Sequence, residues 1–110
     1  MDLHAIDWNA IPWTPVRAGV KRKVFHGEGA TVTLHKLMPG HEPKPHSHPN
    51  EQIAYIMAGR IKFFVGDQEH VMGPGSLLLI PPNVTHWGEV IGDEPVLNLD
   101  VFTPKRPEYT

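Results

Sequence analysis

The chain has no cysteine. That excludes a disulfide framework, a cysteine-ligated zinc finger and a cysteine nucleophile, and it agrees with a reducing compartment, so a cytoplasmic location is the expectation. Long hydrophobic runs are also missing. The longest, "SLLLI" at residues 76–80, is far short of the roughly 20 apolar residues that span a bilayer. The first ten residues, "MDLHAIDWNA", have neither a basic segment nor an apolar one, so no secretory leader is expected. No excess of one charge exists either. Ten Lys and Arg stand against twelve Asp and Glu, with net charge −2 and pI near 6.4. Without a basic patch, nucleic acid and membranes are not expected partners. No window shows a sustained helical period with caps.

What the chain has is punctuation. Twelve prolines and ten glycines are spread along 110 residues, a length that suits one domain with one core. Between them lie short apolar and β-branched runs: residues 20–26, 30–37, 52–57, 61–66, 76–80, 85–91 and 95–102. Such runs, broken by Gly, Pro, Asn and Asp, read as strands. The fold class is all-β, a sandwich or barrel closing on one core. Residues 1–15, with Pro12 and Pro15, read as an irregular arm, which leaves 16–110 as a single barrel domain.

Eight histidines are the chemical anomaly. In "PHSHPNEQ", residues 45–52, His46 and His48 are two apart, so in an extended chain their side chains point the same way. Gln52 opens the next strand, with Ala54 and Ile56 on its face. Glu51 is the rival oxygen donor, but a regular strand turns it to the other side. Two imidazoles and an amide or carboxylate oxygen suit a metal ion. His86 is the best candidate for a third imidazole. It follows the turn "IPPNVT", where Asn83 can take a left-handed conformation.

These residues resemble the two cupin motifs. Gly40, His46, His48, Gln52 and Gly59 match the first, with Gln52 where a Glu is usual. Gly75, Pro81, Asn83, His86 and Val90 follow the spacing of the second, with Asn83 in a Gly position and Val90 in an Asn position. The resemblance implies a double-stranded β-helix, or jelly-roll barrel. It also implies a divalent transition metal (Ni, Zn, Mn or Fe) held by His46, His48, Gln52 and His86. A neutral amide leaves the metal's charge undiminished, which favours Lewis-acid over redox chemistry.

The last strand carries a second signal. Val96, Asn98, Asp100 and Phe102 share one face, and Asp100 on a cavity face could move a proton. The segment "DVFTPKRPEY" is similar to the "DVFSPPREDY" of the KdgF-type pectin-degradation cupins, with Lys105 where that group has Pro. "GVKRK" at residues 19–23 and "HSHPNEQ" extend the likeness over nearly the whole chain. The resemblance implies that Asp100 is the catalytic carboxylate, Phe102 a cavity wall and Arg106 a substrate contact. Arg106, Arg22 or Lys21 could neutralise a substrate carboxylate. The implied reaction linearises 4,5-unsaturated uronates left by pectin or alginate lyases. The implied partners are an anionic sugar acid and a second copy of the chain, joined through an arm carrying Trp8 and Trp13.

Alternatives remain at this point: a dioxygenase, a polyketide-cyclase-like or hydroxynitrile-lyase-like cupin, or a sugar-binding cupin without catalysis. Of the other histidines, His4, His26, His41 and His70 read as surface residues. His35 shares a strand face with Thr31 and Thr33, which leaves open whether it lines the barrel.

Overall fold

A computed structural model describes residues 5–110. His4 therefore lies outside the described residues. Nine strands are present among the described residues: β1 (Thr14–Arg17), β2 (Val20–His26), β3 (Thr31–Leu37), β4 (Glu51–Ala58), β5 (Ile61–Val65), β6 (Gln68–Met72), β7 (Leu77–Ile80), β8 (His86–Val90) and β9 (Val96–Thr103). The one helical segment among the described residues is a 3-10 turn, Trp8–Ala10, whose Asn9 amide is capped by Asp7. No helix among the described residues is long and apolar enough to cross a membrane.

Antiparallel pairing builds two sheets. One runs β1-β2-β3-β9-β4-β7 and the other β6-β5-β8. Their inner faces meet as a jelly-roll barrel. Ile56, Ile80 and Val96 from the larger sheet pack with Ile61, Phe63 and Met72 from the smaller.

Along β4 and β9 every second residue is buried, the period-two pattern of a half-buried strand. What fills those positions changes along each strand. β9 proceeds from Val96 to Asn98, Asp100 and Phe102, and β4 from Gln52 to Ala54 and Ile56. One end of the barrel interior is therefore apolar and the other polar, and the polar end carries the chemistry.

Two strands escape the sequence pattern. β1 begins at Thr14, inside the segment read as an irregular arm. It lies at the edge of its sheet, where the missing N–H of Pro15 costs no ladder bond. β6 follows β5 through a two-residue hairpin at Gly66–Asp67, with Gly66 at φ 58°, a position glycine fills without steric cost. Its "QEH" start is polar because Gln68 and Glu69 are exposed, so it reads as turn.

Two motif positions have backbone reasons. Asn83 sits at φ 66°, the left-handed conformation expected there. Gly59 has φ 80°, and a Cβ there would run into the Pro95 carbonyl and lie 3.0 Å from Val96 Cα.

Candidate metal centre and its cavity

His46, His48 and His86 each donate a ring hydrogen bond to a nearby main-chain carbonyl. His46 Nδ1 reaches the Lys44 oxygen at 2.7 Å, His48 Nδ1 the Asn50 oxygen at 3.0 Å, and His86 Nδ1 the Val84 oxygen at 2.9 Å. A carbonyl can only accept, so each Nδ1 carries the proton and each Nε2 keeps its lone pair. The main chains of His46 and His86 pair directly, N–H to carbonyl in both directions at 3.1 and 2.9 Å. One ligand nitrogen from each of the three imidazoles falls in a cluster within 4.8 Å.

Burial holds these imidazoles neutral. Desolvation is the largest influence on all three and lowers each pKa, for His46 to about 4. The neighbouring imidazoles and Arg106 push in the same direction for His46.

The donor set fits a divalent transition metal. His86 Nε2 is buried with no hydrogen-bond partner among the described residues. His48 Nε2 stands 3.0 Å from Gln52 Oε1, two acceptors face to face. A cation between such groups satisfies both lone pairs. The amide orientation of Gln52 is fixed from behind, where Nε2 donates to Asp100 Oδ1 at 2.8 Å. Three imidazole nitrogens and one amide oxygen are ligands that Ni, Zn, Mn and Fe all accept. Glu51, the rival, is exposed on the outer face of β4.

Behind Gln52 lies a polar cluster. Asp100 is 2% exposed. Besides the Gln52 bond, its Oδ2 accepts from Asn98 Nδ2 at 2.9 Å and from His35 Nδ1 at 3.1 Å. The Asn98 Oδ1 is buried without a hydrogen-bond partner among the described residues. Phe102, 1% exposed, stands edge-on to His48 with ring centroids 5.4 Å apart.

Gln52, Asp100, His46 and His86 line a common cavity, within a space of about 590 Å³ that opens to solvent. It continues into a vestibule walled by Arg17, Arg22, Lys44, Arg106 and Glu108. Tyr109 lies between two guanidiniums, with Arg22 at 3.9 Å and Arg106 at 3.8 Å from its ring centre. Arg106 also donates to the Tyr109 hydroxyl at 2.7 Å and to Glu108 at 3.1 Å.

Three side chains fasten the tail that carries this pair. Thr31 Oγ1 accepts from the Arg106 amide at 2.8 Å, Asn50 donates to the Pro104 carbonyl, and His26 Nε2 meets the Tyr109 carbonyl at 2.9 Å.

The cavity or its vestibule thus brings together Asp100, Arg106, Phe102 and Arg22 with His46, Gln52 and His86, and His48 stands behind the lining against His86 and Gln52. Lys21 is different. Neighbours on a strand face opposite ways, and Lys21 Nζ lies 5.0 Å from the Trp13 ring centre, outside the cavity lining. Lys23 shares that outer position and donates to the Trp8 carbonyl at 2.8 Å. His41 needs correction. It is buried, 8% exposed, with its Cβ close to Gly19 and its Nε2 accepting from the Val90 amide at 3.3 Å. Its turn-like neighbours Gly40 and Glu42 hide that role. His26 is exposed and His70 partly so. Two further residues line the cavity, His35 and Tyr109; the sequence leaves the place of the first open and carries no local signal for the second.

The cupin domain profile matches residues 33–102, and the chain belongs to the cupin family. Among solved structures it resembles KdgF from Halomonas sp., with TM-score 0.84 and 22% identity over 93% of this chain and 94% of that one. An RmlC-like cupin from Shewanella frigidimarina superposes with TM-score 0.88 at 21% identity, covering 99% and 97% of the two chains. Among curated proteins, an H2HPP isomerase of Bacillus subtilis is 33% identical over 85 residues. That match takes in 74% of this chain and 36% of the relative, so the chain spans about a third of that protein's length.

Proposed function

We propose that this protein is a metal-dependent enzyme that linearises 4,5-unsaturated uronates from pectin or alginate breakdown, opening the ring and converting the enol to a ketone. The observation that carries the reading is the Gln52 amide. Its oxygen faces the imidazole cluster and its nitrogen holds Asp100. One short side chain therefore couples a candidate metal centre to the carboxylate of a proton-moving network.

The remaining groups suit an anionic, hydroxyl-rich ligand. Arg22 and Arg106 flank the route to the centre, and a guanidinium can take a carboxylate through paired hydrogen bonds. The unpartnered Asn98 Oδ1 can accept from a sugar hydroxyl. Phe102 gives the ring an apolar wall. His46, His48 and His86 would hold the metal through Nε2, with Gln52 Oε1 beside them. A divalent ion there supplies Lewis-acid stabilisation of negative charge on a substrate oxygen. The network around Asp100 moves the proton that isomerisation requires.

A second reading is a different isomerisation at the same site, favoured by the 33% identity to an H2HPP isomerase. Proton NMR of an unsaturated uronate incubated with the metal-loaded protein separates the two. The first reading requires loss of the vinylic proton and appearance of a linear keto acid.

The protein is further proposed to act as a homodimer. Trp8 and Trp13 are half-buried, and Trp13 lies beneath Lys21 and Lys23, so the arm is a poor contact. Leu77, Leu79, Ile53, Tyr55 and Met57 are all exposed. Pairing of Ile53 with Leu79 and of Tyr55 with Leu77 joins them into one patch at the edge of the large sheet. An apolar patch of this kind favours a protein contact.

A further inference from the structure

We infer that His35, through Nε2, is the acid–base group that exchanges a proton with the substrate, and that Asp100 positions it. The chemical step rests on the uronate reading; the placement of His35 does not.

Asp100 is poorly placed to meet a substrate itself. Both its oxygens are engaged, Oδ1 by Gln52 and Oδ2 by Asn98 and His35, and the residue is 2% exposed. To accept a substrate proton it would have to release a donor. The metal-centre imidazoles have Nδ1 committed to carbonyls and Nε2 turned to the cluster. Tyr109 has its hydroxyl engaged by Arg106, and burial, its largest influence, raises its pKa, so it is a weak acid.

His35 differs from all of these. A carboxylate accepts and does not donate, so the 3.1 Å bond to Asp100 places the proton on Nδ1. No described residue hydrogen-bonds Nε2, and the residue lines the same cavity as His46, Gln52 and His86. Its side chain keeps 14% of its surface exposed. Arg22 on β2 and Asn98 on β9 are its cross-strand neighbours, Thr33 Oγ1 lies 3.3 Å from Nδ1, and the Tyr109 ring stands edge-on at 6.2 Å. Apart from Asp100, then, the ionisable groups around it are a guanidinium and a phenol. This is the arrangement in which a carboxylate sets the tautomer of an imidazole and stabilises its protonated form.

The step balances without a co-reactant. Nε2 takes the proton of the anomeric hydroxyl, and the O–H electrons form the aldehyde carbonyl. The bond from the anomeric carbon to the ring oxygen breaks, and its electrons remain on that oxygen as an enolate. The enolate collapses to the ketone, and its carbon–carbon π pair takes the proton back from Nε2 at the adjacent carbon. One proton moves from oxygen to carbon, and nothing is oxidised or reduced.

The test uses His35→Asn, because the asparagine amide can stand in for Nδ1–H toward Asp100 while removing Nε2. Turnover of unsaturated uronate should fall about 100-fold or more, the usual contribution of a general acid–base group, with metal content unchanged. Near wild-type turnover in His35→Asn, with active wild type, overturns the inference. Nitrogen-15 NMR of the His35 ring is the second readout. The inference requires the Nδ1–H tautomer near neutral pH, with Nε2 shifting when an unsaturated or saturated uronate is added. An Nε2–H tautomer, or an Nε2 resonance indifferent to both ligands, overturns it. Should wild type prove inactive on the uronate, the functional reading falls, and the tautomer alone then decides the placement of His35.

Discussion

Gln52 donates to Asp100 across 2.8 Å and turns its oxygen to His48 at 3.0 Å. The amide is the one side-chain type at that position that can do both, since a carboxylate has no N–H to give. Gln52→Glu should therefore bind a divalent metal more tightly and yet lose activity. In its metal-free form it sets two carboxylates against each other, and like charges at this distance resist joint ionisation. Calorimetry should show the metal-free variant melting several degrees below wild type, with the deficit recovered on metal loading. A metal-free variant as stable as wild type would mean that Gln52 and Asp100 are not coupled.

His48→Ala should lose bound metal. Three imidazoles with Nδ1 anchored to carbonyls form a rigid set, and removing one leaves the others too few to retain the ion against dialysis. Elemental analysis after dialysis is the check. Full stoichiometry in the variant would sink the proposed ligand set.

Asp100→Asn should keep metal but lose turnover, because the amide cannot stabilise an imidazolium at His35. The expected drop is of the same order as for His35→Asn, about 100-fold or more, and the double variant should be little worse than either. Additive losses would indicate two independent roles.

The metal-free protein should lose stability as pH falls from about 6.5 toward 4. Burial lowers the pKa of His46 to about 4 and lowers those of His48 and His86, whereas the unfolded chain protonates its imidazoles near 6.5. In that window the unfolded state binds more protons, so acid favours unfolding, and the stability present above the unfolded value is lost as pH falls through the folded one. His46→Asn should flatten the slope. A melting temperature in the variant that tracks wild type across this range would contradict the assignment.

Much of this site is legible in the sequence. His-x-His followed by Gln52, and His86 after a Pro-rich turn, are local signals, and seven of the nine strands carry clear apolar runs. The rest depended on contacts between distant segments. His35 needs Asp100, 65 residues away, to reveal a function. His41 needs the amide of Val90. β6 was hidden because its outward residues are polar. "SLLLI" does not alternate, so nothing in it said that Leu77 and Leu79 would face outward. Lys21 and Arg22 are adjacent and both cationic, and only the pairing of β2 decides which one reaches the cavity. That outward leucine pair tests the proposed homodimer: in sedimentation velocity wild type should run as a dimer and Leu77→Lys as a monomer, and a monomeric wild type or a dimeric variant would contradict the proposed contact.

The central claim is tested most directly by following the ultraviolet absorbance of an unsaturated uronate monomer, freshly made with a pectin or alginate lyase. Metal-loaded protein, chelated protein and buffer are compared. The account predicts fast loss of absorbance with metal-loaded protein, and loss at the buffer rate after chelation. Equal rates in all three, with metal shown to be bound, would contradict it.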